Sequence, residues 1–144
     1  MVDDMMCLIR DILQRGNLPR KELIRKICYA QGYQRSGIKV ASKIDGYIRA
    51  GSRCSVAFKL GDEIHLFARS ISDYERNDLK VNFLAAIAAQ GTSYVEREKA
   101  VRAFARWMGF ARTGPIIEDT AQSLINGLLR ENRLEARGHE IRRL

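Results

Sequence analysis

Gly32-Tyr-Gln-Arg-Ser-Gly37 and Gly109-Phe-Ala-Arg-Thr-Gly114 follow one pattern: glycine, aromatic, any residue, arginine, hydroxyl residue, glycine. Sliding the chain by the 77 residues between them aligns more than the hexapeptide. Arg20 falls on Arg97, Arg25 on Arg102, Ile48 on Ile125 and Arg53 on Arg130, and Gly61-Asp-Glu-Ile64 falls on Gly138-His-Glu-Ile141. Conservative pairs fill the space between, such as Ile24 with Val101 and Ile27 with Phe104. Upstream, Ile12 and Gly16 match Ile87 and Gly91 at an offset of 75, so two extra residues precede the second helix of the second copy. Matches at both ends and in the middle read as a repeated supersecondary unit. The expected organisation is copy one over 1–70, a polar linker or approach to the next helix over 71–79, and copy two over 80–144.

Two copies let each element be read twice. Met5, Leu8, Ile9, Ile12 and Leu13 form a helical stripe that stops at Gly16. Pro19 suits a first helical turn, and Leu23, Ile24, Ile27 and Cys28 form the next stripe. Copy two repeats this with Leu84, Ile87 and Ala88, then Ala100, Val101, Phe104 and Met108, and Ser93 with Glu96 reads as a capping box. Pro115 fits the first position of a third helix, which makes Gly114 its N-cap. By alignment the third helix of copy one starts at Ile38. Each copy then ends in a hairpin pattern, SVAFKL–Gly61-Asp62–EIHLF and RLEAR–Gly138-His139–EIRRL. Three helices and a β-hairpin in about 60 residues is the winged-helix arrangement, a helix-turn-helix relative. The expected fold is therefore mainly α with small β wings (α+β), a tandem duplication of this unit.

Composition narrows the function. The formal charge is +8, with 13 Lys/Arg against 7 Asp/Glu in residues 1–70 and 12 against 10 in 71–144. A pI near 9.8 is the electrostatic footprint of a nucleic-acid binder, although a solvated basic surface would give the same number. No apolar run approaches the ~18 residues of a membrane helix. Met-Val-Asp-Asp lacks the basic start of a secretory signal, and three cysteines without Cys-x-x-Cys spacing fit a reducing cytosol, so a cytoplasmic location is expected. Neither zinc spacing, nor a phosphate-binding glycine loop, nor a nucleophile elbow occurs. The chain reads as non-catalytic, with no metal or other cofactor and no evident small-molecule substrate.

The hexapeptide lies at the N-terminus of the third helix, where unpaired N–H groups and the helix dipole favour an anion. Arg35 and Ser36, and likewise Arg112 and Thr113, supply a forked donor and a hydroxyl for a phosphate. The alternative is structural: Gly32 as a helix cap, Tyr33 as a plug and Arg35 as a brace. Opposite the apolar stripe of helix three, copy one carries Lys39, Ser42, Lys43, Gly46 and Arg49, a basic face. Copy two carries Ile116, Asp119, Thr120, Ser123 and Asn126 there, with Glu118 nearby. The wings add Arg53 and Lys59 in copy one, and Arg130, Arg133, Arg137, Arg142 and Arg143 in copy two, as candidate backbone contacts or a solvated charged face. Double-stranded DNA is thus the expected partner of copy one, while copy two is expected to meet another protein or a second subunit, or to touch DNA through its wing.

The second copy, from LAAIAAQG through REKAVRAFARWMGFARTGPIIEDTAQSLINGLLRENRLEARGHEI, resembles the winged-helix domain at the C-terminus of large bacterial helicase–nuclease proteins of the restriction-like class. The shared features, in order, are an I-x-x-x-x-G helix end, a basic second helix, G-x-x-R-[ST]-G and a final wing. The resemblance implies an accessory domain that binds DNA, in a bacterial or phage setting, while enzymatic work is done elsewhere. The resulting expectation is a DNA-binding regulator or DNA-handling subunit. The competing one is a module that scaffolds a protein complex.

Overall fold

The computed structural model describes residues 2–34 and 37–144. The fold is α+β, with six α-helices and two three-stranded antiparallel sheets among the described residues. The first half runs α1 (Val2–Leu13), β1 (Leu18–Pro19), α2 (Arg20–Ala30), α3 (Ile38–Arg53), β2 (Ala57–Leu60) and β3 (Glu63–Leu66). The second runs α4 (Arg76–Ala89), β4 (Val95–Glu96), α5 (Arg97–Trp107), α6 (Pro115–Arg130), β5 (Leu134–Arg137) and β6 (Glu140–Arg143). From β1 onward every boundary recurs 77 residues later. The sheets have the same strand order, β1-β3-β2 and β4-β6-β5.

Each half closes its own core. Met5, Ile9 and Leu13 of α1 meet Leu23 and Ile27 of α2, Ile44 and Ile48 of α3, and Ile64 of β3. In the second half Leu79, Phe83 and Ile87 of α4 meet Val101 and Phe104 of α5, Leu124 and Leu128 of α6, and Ile141 of β6. These are the i, i+3, i+4 positions of amphipathic helices and the inward alternate positions of short strands.

Both glycine turns end a helix in the same way. Gly32 has φ +89° and Gly109 φ +80°, the left-handed region that favours glycine. Tyr33 N–H donates to Cys28 O at 3.1 Å and Gly32 N–H to Tyr29 O at 3.1 Å; Phe110 donates to Ala105 O at 2.8 Å and Gly109 to Arg106 O at 2.9 Å. This crossed pair of bonds satisfies the last helix carbonyls and reverses the chain. Gly37 and Gly114 then cap α3 and α6 in extended conformation, with Pro115 in the first turn of α6.

Three local expectations change. Pro19 and Glu96, the residues just before α2 and α5, are not simple helix starts, because Leu18–Pro19 pairs with β3 and Val95–Glu96 with β6. For the same reason Ser93 does not cap α5: strand pairing delays that helix to Arg97, and its N-cap is Glu96 with no side-chain cap bond. The stretch 71–79 is also more ordered than a linker. Ile71–Asp73 forms a 3-10 turn, α4 starts at Arg76, and Ile71 and Leu79 are buried in the second core.

The halves are joined by a buried polar network. Arg10 is 3% exposed. Its guanidinium donates to Met108 O (2.9 Å), Ala68 O (2.8 Å) and the Tyr74 hydroxyl (2.5 Å), and lies 4.1 Å over the Phe110 ring. Tyr74 in turn donates to Ser55 O at 2.6 Å. Asn82 donates to Ser55 Oγ at 3.1 Å and accepts from Trp107 Nε1 at 3.1 Å. Trp107 packs on both cores.

Candidate nucleic-acid interface

α3 buries Ile44 and Ile48 and leaves Lys39, Ser42, Lys43, Gly46, Arg49 and Arg53 exposed. The 100° helical step and the apolar stripe together put these residues on the solvent side. The hairpin β2–β3 folds beside the end of α3 and presents Lys59 toward it. Between them lies a groove of about 350 Å³ whose polar lining includes Arg20, Asp45, Arg49, Arg53 and Lys59. Lys21 joins Arg20 and Lys59, with Asp62 beside them, in the adjoining hollow. The result is a cationic strip from the helix face to the β2–β3 hairpin.

Asp45 organises this strip. Its carboxylate accepts from Arg20 at 2.5 Å and faces Arg49 at 3.3 Å. The bond from Arg20, then the charges of Arg20, Arg49 and Lys59, hold its carboxyl below the usual range, and Asp45 in turn raises Arg20. One anion thus fixes two guanidinium groups that flank the groove without cancelling the surrounding positive charge.

The structure brings Lys39, Ser42, Lys43, Arg49, Arg53 and Lys59 onto this one side. Arg35 and Ser36, the phosphate-clip candidates of copy one, lie outside the described residues. Arg20 and Lys21 were not among the sequence candidates. β1 carries them to the β2–β3 hairpin by pairing with β3, and the alignment of Arg20 with Arg97 was the available signal.

The second half arranges its candidates differently. Arg112 is exposed and Thr113 half-buried, beside a groove lined by Glu98, Arg102, Glu118 and Asp119. Arg97, the counterpart of Arg20, sits near Glu96, Glu98 and Glu140. Arg137 pairs with Glu140 at 3.1 Å and lies 4.1 Å over the Tyr94 ring, whose other neighbour is Arg142 at 4.8 Å. Tyr94 donates to Glu135 at 2.9 Å, and Arg142 bonds the same carboxylate. The bond from Tyr94, then that from Arg142, holds the Glu135 carboxyl below its usual range, and the bond to Glu135 raises the Tyr94 phenol against the opposing charges of Arg142 and Arg137. Arg130 and Arg133 are exposed. The β5–β6 hairpin therefore engages part of its own arginine charge.

Among the described residues no group of three or more His, Cys, Asp and Glu side chains comes together to hold a metal. No described helix is long and apolar enough to cross a membrane. Comparison of the chain with family models, curated proteins and solved structures gave no match.

Proposed function

We propose that the chain is a tandem pair of winged-helix units that binds double-stranded DNA through its first unit, as a non-catalytic regulator or accessory subunit in the cytoplasm. Support for the fold reading comes from the element order: helix, short strand, two helices and a hairpin occur twice, and the short strand pairs with the last strand each time. The observation that carries the function is the basic strip of the first unit. α3 has the length and exposed side to enter a major groove, with Lys39, Lys43 and Arg49 toward the duplex. Arg53 and Lys59 stand where the flanking phosphate backbone would run, with Arg20 and Lys21 beside them.

The test is a salt titration of binding to a fluorescent duplex. Neutralising several phosphates gives a log–log slope of about −0.9 per contact, so a slope near −4 is expected for four or five contacts. The double charge reversal K39E/K43E lowers affinity at least tenfold. Absence of binding to any duplex at low salt overturns the proposal.

A second reading rests on the second unit. The outward side of α6 offers Glu118, Asp119, Ser123 and Asn126 with Ile116 exposed, chemistry that suits a protein surface better than a phosphate-lined groove. On this reading the second unit recruits a protein to DNA held by the first.

A further inference from the structure

The first half of α4 crosses the last turns of α6, and Gly127 makes room for two cations at the crossing. A Cβ there would stand 3.0 Å from Arg76 Nη2 and 3.5 Å from Lys80 Cε. Arg76 donates to the Ser123 hydroxyl and carbonyl, both at 3.0 Å, and Lys80 bonds the Glu131 carboxylate. Ser123, Gly127 and Glu131 recur at four-residue spacing on one side of α6. The bond from Lys80, then the charges of Lys80, Arg133 and Arg76, hold the Glu131 carboxyl below its usual range against desolvation. One turn further along α4, Arg143 of β6 donates to Leu84 O at 3.4 Å. Four cations thus gather about one carboxylate. No described carboxylate lies within ion-pair distance of Arg76, Arg133 or Arg143, and all three are exposed.

The first half has nothing of this kind at the equivalent place. Buried positions of α1 and α4 match at an offset of 74, Met5 with Leu79, Ile9 with Phe83 and Leu13 with Ile87, which sets Met6 against Lys80. At the offset of 77, Cys54 stands against Glu131, Val56 against Arg133 and Leu66 against Arg143. Met6, Cys54 and Val56 are buried, and Met6 O lies under the Gly109 end of α5. There the second half covers the first. In the second half the same place faces solvent, and its apolar residues are replaced by ionic ones. Ending a repeat array requires only a polar outer face, for which either sign of charge serves. Four cations against one acid go beyond that requirement and match an anion. Ser123 and Glu131 hold Arg76 and Lys80 in place, as Asp45 holds Arg20, so forked and point-charge donors are set side by side for phosphate oxygens.

We propose that Arg76, Lys80, Arg133 and Arg143 form a second DNA site, which binds the phosphate backbone of a duplex without reading its sequence. The inference rests on the reading of the chain as a DNA binder and adds a contact in the second half. It uses neither the Tyr94 side of the β5–β6 hairpin nor Glu118 and Asp119, which lie at the opposite end of α6.

A salt titration of duplex binding, read by fluorescence anisotropy, separates this site from the first. Each phosphate contact contributes about −0.9 to the log–log slope, so R76E/R133E makes the slope shallower by about 2 and lowers low-salt affinity at least tenfold. K99E/R102E, an equal charge change at exposed positions of α5, shifts affinity by less than about threefold. K39E/K43E keeps residual low-salt binding, which adding R76E/R133E abolishes. Should R76E/R133E lower the thermal midpoint through the lost Ser123 bonds, R76Q/R133Q gives the same change of slope. An unchanged slope in both double variants, or a loss in K99E/R102E as large as in R76E/R133E, overturns the inference and leaves the first-unit reading standing. A wild type that binds no duplex at low salt overturns both.

Discussion

Asp45 stands among Arg20, Arg49 and Lys59, and its depressed carboxyl makes a signed prediction. A carboxylate whose folded pKa is lowered adds stability above its unfolded value near 4, and that stability is lost as pH falls through the folded value. D45N therefore removes part of the acid-side loss of stability, measured as thermal midpoint against pH between about 5 and 2. It also frees two guanidinium groups and adds one positive charge, so under the DNA-binding proposal affinity at low salt rises several-fold. The two turn glycines give a second residue-scale contrast. G32A strains a left-handed backbone in open space and costs about 1–2 kcal/mol. G109A adds a collision with the Met6 carbonyl, a backbone atom that cannot swing away, and costs at least twice as much by denaturant titration.

At the scale of elements, α3 and α6 share length, cap and buried stripe but differ in their exposed charge. Reversing Glu118 and Asp119 to lysine on α6 is expected to leave duplex affinity within about threefold, in contrast to the tenfold loss for K39E/K43E, because screened charges distant from the groove add little. The start of α6 was readable from Gly114-Pro115, and the hairpins from Gly61-Asp62 and Gly138-His139, since these residue types act through local backbone geometry. The two-residue strands β1 and β4 were not readable. A strand of that length has no period, and it exists only because β3 and β6 supply partners from more than 40 residues away. The same pairing displaced the capping role expected of Ser93. Arg137 likewise read as an available cation, while the fold sets it over Tyr94 and beside Glu140.

Over the whole molecule, the network from Arg10 to Trp107 decides whether the halves behave as one body. Arg10→Met keeps the stem but abandons one buried and one partly buried carbonyl and the Tyr74 hydroxyl, an expected loss of about 3 kcal/mol. Because each half has its own core, the variant's calorimetric unfolding should broaden or split into two transitions rather than shift as one. Tyr74 adds an alkaline signature. Burial raises its phenol above the ordinary value, against the opposing effect of Arg10. A raised folded pKa gives stability that is complete below the unfolded value near 10 and is lost as pH rises through the folded one. Wild type should thus lose stability above pH 10 more steeply than Tyr74→Phe, which starts lower because Arg10 and Ser55 O lose their partner.

By itself the sequence determined the repeat, the six helices, the two hairpins and the unequal charge of the third helices. Those features follow from spacing along the chain, from glycine and proline at turns and from apolar periodicity, all of which act over a few residues. Only the tertiary structure decided that Arg20 and Lys21 join α3 and the β2–β3 hairpin, that the arginines of the β5–β6 hairpin are partly engaged, and that Arg10 locks one half to the other. Each depends on side chains meeting across tens of residues, up to 98 for Arg10 and Met108. A buried guanidinium can be told from a solvated one only by what packs around it.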